Sequence, residues 1–573
     1  MPDETLTAIV ASLADTGAAK GEFAVPDAVA PVPAKRSWGF TVQLYSLRSL
    51  SSWGHGDLRD LADFATWSAR DLGAGFVLIN PLHAVEPLPP VSASPYLPMS
   101  RRWVSPLYLR IEDIPEYKEL NYAERTRLTE LSAPLRAASG TSALIDRDAV
   151  WAAKREALEL LRKVPLSDSR QASLSAFRGK HGRALDDWAA WCALAEVRGP
   201  DYRAWPARLR DPRTAEAEVR RGDLAALAEF HAWVQWLVAS QVEAAQAAAV
   251  RAGMPIGIIA DLAIGSHPGG ADAWSCQDMI ASGFSVGAPP DAFNQRGQDW
   301  ALSPYHPGAL AASGYRPLAE LFGSTLAGAG GIRIDHVMGL SRLWWIPEGM
   351  SATQGAYVYY DAAGTIGTLA AAAASAGSVA IGEDLGTVEP WLREALSARG
   401  TLGTSMLWFE RGWSNEPLAP QWWRRNSLVT VSTHDLPPAA AFLSGSQVTD
   451  RLALGLLTRS EAEERAEAAR TVSDWVRALV GQGLLPPSSG EQPSADGFTA
   501  ALYGYLARTP ALLIGVNLAE AAGELRSQNM PGTSTEYPNW LLPLCGPDGE
   551  PVLLEDLASS ARVRAVAEAA NGA

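Results

Sequence analysis

Cysteine is scarce in this chain: 573 residues hold three, Cys192, Cys276 and Cys545. They are far apart, odd in number and without metal-ligand spacing, which excludes a disulfide framework and a thiolate metal site and leaves free thiols in a reducing cytoplasm as the expectation. Basic charge is short as well. Lys plus Arg number 48 against 63 Asp plus Glu, a net charge of -15, which repels nucleic acid and anionic membranes and leaves a neutral or cationic partner. The first residues, MPDETLTAIVASLADTGAAK, carry no basic segment followed by a long apolar run, so no signal peptide is expected and the chain is read as cytoplasmic. Long apolar runs are lacking too. GTLAAAAASAGSVAIG (367–382) is made of small residues, is broken by Gly377 and runs into Glu383 and Asp384, so it reads as a helix and then a strand rather than a membrane span. No phosphate-binding or dinucleotide glycine motif is present, and no metal motif, so no cofactor is expected.

What the sequence has is tryptophan, 21 of them, most of which core packing accounts for, with some left as flat surfaces on which sugar rings stack. It also has eight short apolar runs with the β-branched content of buried parallel strands: 39–47, 75–82, 255–263, 331–337, 378–385, 404–409, 427–435 and 511–518. Helical patterns lie between many of them, as in LRDLADFATWSARDLG after the first and PWLREALSARG after the fifth. The fold class expected is α/β, a (β/α)8 barrel with large helical insertions. Residues 1–37 read as an N-terminal segment and Pro-rich linker, 38–112 as the first part of the barrel, 113–232 as an inserted helical subdomain, and 233–573 as the second part of the barrel with a smaller helical excursion around 440–505.

Functional side chains of such a barrel gather at the carboxyl ends of its strands. Four runs close on acids: Asp261, Asp335, Glu383 and Asp435, the last preceded by His434. Carboxylates converging on one pocket, without His or Cys ligands and in a Trp-rich acidic protein, fit glycosidic-bond chemistry by retention, which needs an ionised nucleophile and a protonated acid. Asp335 reads as the nucleophile, held ionised by Arg333 two residues earlier on the same strand face. Glu383, its pKa raised by neighbouring carboxylates, reads as the acid/base, and Asp435 as the stabiliser of the oxocarbenium-like transition state. His336 falls on the opposite strand face from Asp335 and reads as structural, and Trp344 and Trp345 as packing for the loop beneath the site.

The segments RIDH (333–336), GEDLG (382–386) and THDLP (433–437) resemble the catalytic segments of the 4-α-glucanotransferases of glycoside hydrolase family 77, the amylomaltases or disproportionating enzymes. SPYLPMSRRW (94–103), GAPPDAFNQRGQDW (287–300), RLWWIPEG (342–349) and NMPGT with EYPNW (529–540) extend the resemblance over almost the whole chain. It implies a covalent glucosyl intermediate on Asp335, acid/base action by Glu383 and stabilisation by Asp435. It further implies sugar contacts at Tyr96, Asp261, Arg333 and His434, a cleft lined by Ser94, Asp291, Gln298, Trp300 and Asn529, and an acceptor-side platform at Phe409. Malto-oligosaccharides and α-glucans are the expected partners, with the chain a monomer or homodimer. Pro438 stands where Thr is usual, the apolar run 439–442 replaces a more polar one, Ser105 stands where Asn is common, and Ala519 with Glu520 stands where an acidic pair is usual. Transfer, α-glucan hydrolysis and silent glucan binding all remain open to the residues alone, and the resemblance favours transfer.

Overall fold

A computed structural model describes residues 3–14, 25–290, 296–487 and 492–572. Its centre is a closed barrel of eight strands: β1 (Ser37–Val42), β2 (Phe76–Ile79), β3 (Gly257–Leu262), β4 (Gly331–Ile334), β5 (Val379–Gly382), β6 (Thr401–Met406), β7 (Ser427–Thr430) and β8 (Leu513–Asn517). All eight pairings are parallel, β8 closing on β1 through Ser37 opposite Leu513. Six of the strands lie inside the apolar runs, while β1 and β6 begin two and three residues before theirs, and the (β/α)8 expectation holds.

Side chains alternate across a strand with a period of two, so one set from each strand fills the barrel. Phe76, Leu78, Ile259, Val379, Ile381, Leu402, Leu428 and Leu513 pack there as a buried plug. Gly39 on β1 leaves room for it, since a Cβ at that position would stand 2.7 Å from the Phe76 ring. Towards the carboxyl end the chemistry changes: Thr41, Asp261, Arg333, Thr404, Thr430 and Asn517, from six different strands, line one cavity above the plug. Asp335 and Glu383 come two residues after Arg333 and Ile381, so they continue the inward series of β4 and β5 past the last ladder residues.

Between β2 and β3 lie helices at Tyr122–Ser139, Arg147–Leu161, Asp168–His181, Arg183–Arg198, Pro212–Arg221 and Ala225–Arg251. The last has 27 residues, about 40 Å at 1.5 Å per residue. It passes unbroken through residue 232 and packs on both Arg183–Arg198 and the barrel helix Leu58–Leu72. Helices Ala439–Ser444, Ser446–Ala453, Glu461–Gly481 and Ala495–Ala507 fill the excursion between β7 and β8.

One element has no counterpart in the sequence reading. Phe284–Ala288 and Gln298–Leu302, from the β3–β4 connection, join Arg342–Pro347 and Ala356–Tyr359, from the β4–β5 connection, in an antiparallel four-stranded sheet. Trp344 and Trp345 are therefore strand residues rather than loop packing: Trp345 is fully buried, and Trp344 meets Tyr357 edge to face at 5.1 Å. The N-terminal helix Asp3–Ala14 packs against this sheet, burying Ile9 and donating from Thr5 Oγ1 to the Gln354 carbonyl at 2.8 Å.

Candidate active site

The mouth of the barrel is organised around one buried guanidinium. Arg333 faces Asp261 across the β3–β4 pairing, and its Nη1 donates to both Asp261 oxygens at 2.7 Å and to Asp335 Oδ1 at 3.3 Å. Burial opposes the charge on Arg333, but Asp261 and then Asp335 outweigh it and hold its pKa well above the ordinary value. Arg333, expected to hold Asp335 ionised, does reach Asp335, but its shorter, two-oxygen contact is to Asp261. Burial consequently dominates at Asp335, whose pKa is pushed up to about 7, with Arg333 opposing and Asp261 and Glu383 adding to the rise.

Glu383 follows β5 directly and is fixed by backbone. Its Oε1 accepts from Leu385 N at 2.7 Å and its Oε2 from His336 N at 3.1 Å. Burial raises its pKa, with Arg333 and these two N–H groups opposing. Two half-buried carboxyls, both shifted upward and each close to the same cation, can hold one proton between them. Asp384 faces the other way. It is buried among Arg393 Nε at 3.0 Å, Arg424 Nη1 at 2.5 Å and Thr404 N at 2.8 Å, and it pins the segment that carries Glu383.

Asp435 lies five residues beyond the last ladder residue of β7, Thr430, so it is carried by a loop rather than a strand end. Asn529 Nδ2 donates to its Oδ1 at 2.7 Å, and His434 Nε2 stands 3.2 Å from its Oδ2. Burial would raise its pKa, yet the His434 charge and the hydrogen bonds from His434 and Asn529 bring it down to about 2. His434 rises in return, against its own burial. Tyr96 bridges the two groups: its hydroxyl donates to Asp261 Oδ2 at 2.8 Å, and its ring stacks on His434 with centroids 4.9 Å apart. Tyr96, Asp261, Arg333, Asp335, His434, Asp435 and Asn529 thus form one connected constellation, with Glu383 on the neighbouring strand.

Of the remaining candidates, Gln298 and Trp300 share one strand, where Gln298 Oε1 accepts from the Trp300 indole at 2.9 Å. The Trp300 ring meets His336 edge to face at 5.2 Å. His336 itself adopts a left-handed backbone, φ 45°, which turns the chain away after Asp335. Phe409 closes a short 3-10 turn after β6 and is 44% exposed. Ser94 accepts from Tyr96 N at 3.3 Å, at the start of the segment that delivers Tyr96. Asp291 lies outside the described residues. The apolar run after Pro438 turns out to be packing, with Phe442 against Trp408 at 4.4 Å between centroids. Ser105 caps a short turn through Leu107 N.

The sequence reading missed Trp540. Its ring contacts both Tyr96, at 5.4 Å, and His434, at 5.2 Å. Its carbonyl accepts from Arg147 Nη2 at 2.7 Å, which brings the first turn of an inserted helix to the back of the site. The EYPNW motif that ends on it was the available sign. Among the described residues no group of three or more His, Cys, Asp or Glu side chains could hold a metal ion, and no helix is long and apolar enough to cross a membrane.

A closed parallel barrel with acids gathered at its carboxyl mouth defines a (β/α)8 enzyme of the kind that works on glycosidic bonds through paired carboxylates. The sequence profile described as 4-alpha-glucanotransferase matches residues 42–545. The 4-alpha-glucanotransferase of Mycobacterium tuberculosis (strain H37Rv) is 50% identical over 559 residues, 96% of this chain and 76% of that one. That of Haemophilus influenzae is 35% identical over 540 residues, 90% of this chain and 76% of that one. The crystal structure of amylomaltase from Corynebacterium glutamicum superposes with a TM-score of 0.88 at 41% identity, over 94% of this chain and 75% of that one. A Streptococcus agalactiae amylomaltase in complex with acarbose shares the fold, with a TM-score of 0.74 at 19% identity over 94% and 99% of the two chains. The chain belongs to the 4-alpha-glucanotransferase family, glycoside hydrolase family 77.

Proposed function

We propose that the protein transfers α-1,4-glucan segments from malto-oligosaccharide donors to the 4-hydroxyl of glucose or malto-oligosaccharide acceptors, by two displacements at Asp335. In the first, an Asp335 oxygen bonds to the anomeric carbon while the glycosidic bond breaks, and Glu383 gives its proton to the departing oxygen. In the second, Glu383 takes the proton of the acceptor 4-hydroxyl as that oxygen displaces Asp335, so the anomeric configuration is retained. One proton held between Asp335 and Glu383 suits this cycle, and the Arg333 hydrogen bond to Asp335 favours the form with the proton on Glu383. Asp435, kept ionised by His434 and Asn529, faces the positive charge that develops on the sugar ring.

The observation that carries this reading is that β3, β4, β5 and the loop after β7 deliver four carboxylates to one mouth, two of them hydrogen-bonded to Arg333. Phe409 and Trp300 are the surfaces we assign to ring stacking, and Ser94, Gln298 and Asp291 to polar contacts in the cleft. Three free thiols fit a reducing cytoplasm.

The test is the product pattern from pure maltotriose. Disproportionation yields glucose together with maltopentaose and longer chains at a constant number of reducing ends. A rising number of reducing ends would replace transferase with hydrolase, and binding without products would leave a silent glucan-binding protein. Asp335→Ala is expected to abolish transfer while thermal unfolding stays cooperative; transfer surviving that substitution would remove Asp335 as the nucleophile.

A further inference from the structure

Among the buried carboxylates that the chemistry above leaves unused, Glu520 stands beside the loop that carries Asp435. Glu520 lies in the short helix Leu518–Ala522 after β8 and is 3% exposed. Its contacts are neutral donors: Ser432 Oγ at 2.8 Å and Ala439 N at 3.0 Å both reach Oε1, and the Tyr503 hydroxyl donates to Oε2. Burial pushes its pKa up, and these three hydrogen bonds oppose the rise. A carboxylate in such a place is expensive to bury, and an apolar side chain would fill the volume at less cost.

The positions of the donors give the carboxylate a use. Ser432 and Ala439 are the two ends of the loop that carries His434 and Asp435, the first just past β7 and the second opening helix Ala439–Ser444. One oxygen thus accepts from both ends of that loop. The circuit continues into β8: Asn517 N donates to the Tyr503 hydroxyl at 2.9 Å, and Asn517 Nδ2 donates to Ser432 Oγ at 3.2 Å. At the opposite side of the loop Asn529 grips Asp435 directly, while its N–H donates to the His434 carbonyl at 3.1 Å. The tip is held from the cleft and the base from below.

We propose that Glu520 is a positioning residue for glucan transfer: by accepting from both ends of loop 432–439 it fixes where Asp435 and His434 stand relative to Arg333 and Asp335. The inference rests on the reading of Asp435 as a stabiliser of the transition state. Without the shared acceptor the two loop ends are free to part, and a displacement of about 1 Å in a group that acts in the transition state lowers turnover by about a hundredfold.

The experiment is initial-rate disproportionation of maltotriose by the full chain, comparing wild type, Glu520→Ala, Glu520→Gln, Tyr503→Phe and the control Glu116→Ala, with thermal unfolding of each. Glu116 is a comparably buried acid, paired with Arg170 in the helical insertion, away from the site. Glu520→Ala is expected to lower kcat by about tenfold to a hundredfold with KM within about threefold of wild type. Glu520→Gln, whose amide oxygen can still accept from Ser432 and Ala439, is expected to restore kcat to within about fivefold of wild type, and Glu116→Ala to lose thermal stability without losing kcat. A Glu520→Ala protein with wild-type kcat overturns the proposal, as does a loss that the alanine and glutamine variants share equally. If Glu520→Ala does not fold, Tyr503→Phe decides: a lower kcat at unchanged KM supports the clamp, and an unchanged kcat overturns it. Wild-type protein that forms no maltopentaose overturns the transferase reading as well, whereas an active wild type with an indifferent Glu520 overturns this inference alone.

Discussion

Arg333 divides one positive charge between two carboxylates, and the unequal division sets the pH response of the site. Asp261 takes the short contacts and Asp335 the long one, so burial lifts Asp335 to about 7 and raises Glu383 as well. With Asp335 as the proposed nucleophile, activity is expected to be lost as pH falls through that raised value. With Glu383 as the proposed acid, it is expected to be lost as pH rises through the Glu383 value. Both limbs of kcat/KM therefore stand above the ordinary carboxylate range near about 4, while Asp435, down at about 2, contributes no limb there. Asp261→Asn removes an anion that raises Asp335, so it is expected to move the acidic limb to lower pH, whatever it does to the maximum rate. A pH profile of maltotriose transfer measures both points; undiminished activity at pH 4, or an acidic limb that Asp261→Asn leaves in place, would contradict the assignment. The acids themselves were legible in the sequence because each closes an apolar run of strand length, where barrel enzymes gather their functional side chains. The division of Arg333 between two partners was not, because it depends on β3 and β4 lying side by side, 72 residues apart in the chain.

The elements that carry the site differ in how plainly they can be read. Buried parallel strands are apolar on both faces, so all eight announced themselves as short runs. The four-stranded sheet beside the mouth did not: its strands come from two separate connections, and Ala356–Tyr359 alternates buried and exposed residues as a half-covered strand does. Run 427–435 reads as one strand, whereas the ladder stops at Thr430, whose hydroxyl turns to the Ser432 carbonyl at 3.0 Å and starts the loop to Asp435. The missed sheet has a consequence for the cleft. Its strand Gln298–Leu302 presents Trp300 against His336, the residue after Asp335. Trp300→Ala is expected to lower kcat/KM for maltotriose by about tenfold to a hundredfold, with Trp300→Phe recovering part of the loss and thermal unfolding little changed. Equal kcat/KM for wild type and Trp300→Ala would make the indole a packing group only.

Across the whole molecule, the helical insertion is attached to the barrel by aromatic rings as well as by chain. Trp103, in the strand Ser100–Val104, begins a series that continues through Trp188, Trp191, Trp205 and Trp274, with successive centroids 6.3, 5.8, 6.4 and 6.0 Å apart. The series starts after β2, crosses the inserted helix Arg183–Arg198 and ends in the connection that follows Asp261. There Asp272 accepts from Ser100 Oγ at 2.5 Å and from Arg101 N at 2.7 Å, and Arg101 Nη1 in turn holds the Ile264 carbonyl at 2.7 Å. The insertion therefore reaches the chain just beyond β3 through a series of ring contacts, stacked at first and edge to face at the end, and the mouth of the barrel through Arg147 and Trp540. Trp191 is fully buried in the middle of the stack. Trp191→Ala is expected to destabilise the protein by about 3–5 kcal/mol, read as a lower urea midpoint, while kcat/KM at 25 °C stays within about threefold of wild type, because Asp261 and Arg333 are held by the barrel ladder and not by the stack. A folded Trp191→Ala protein with strongly reduced kcat would show instead that the insertion sets the geometry of the β3 end, and the barrel alone would no longer suffice to explain where Asp261 stands.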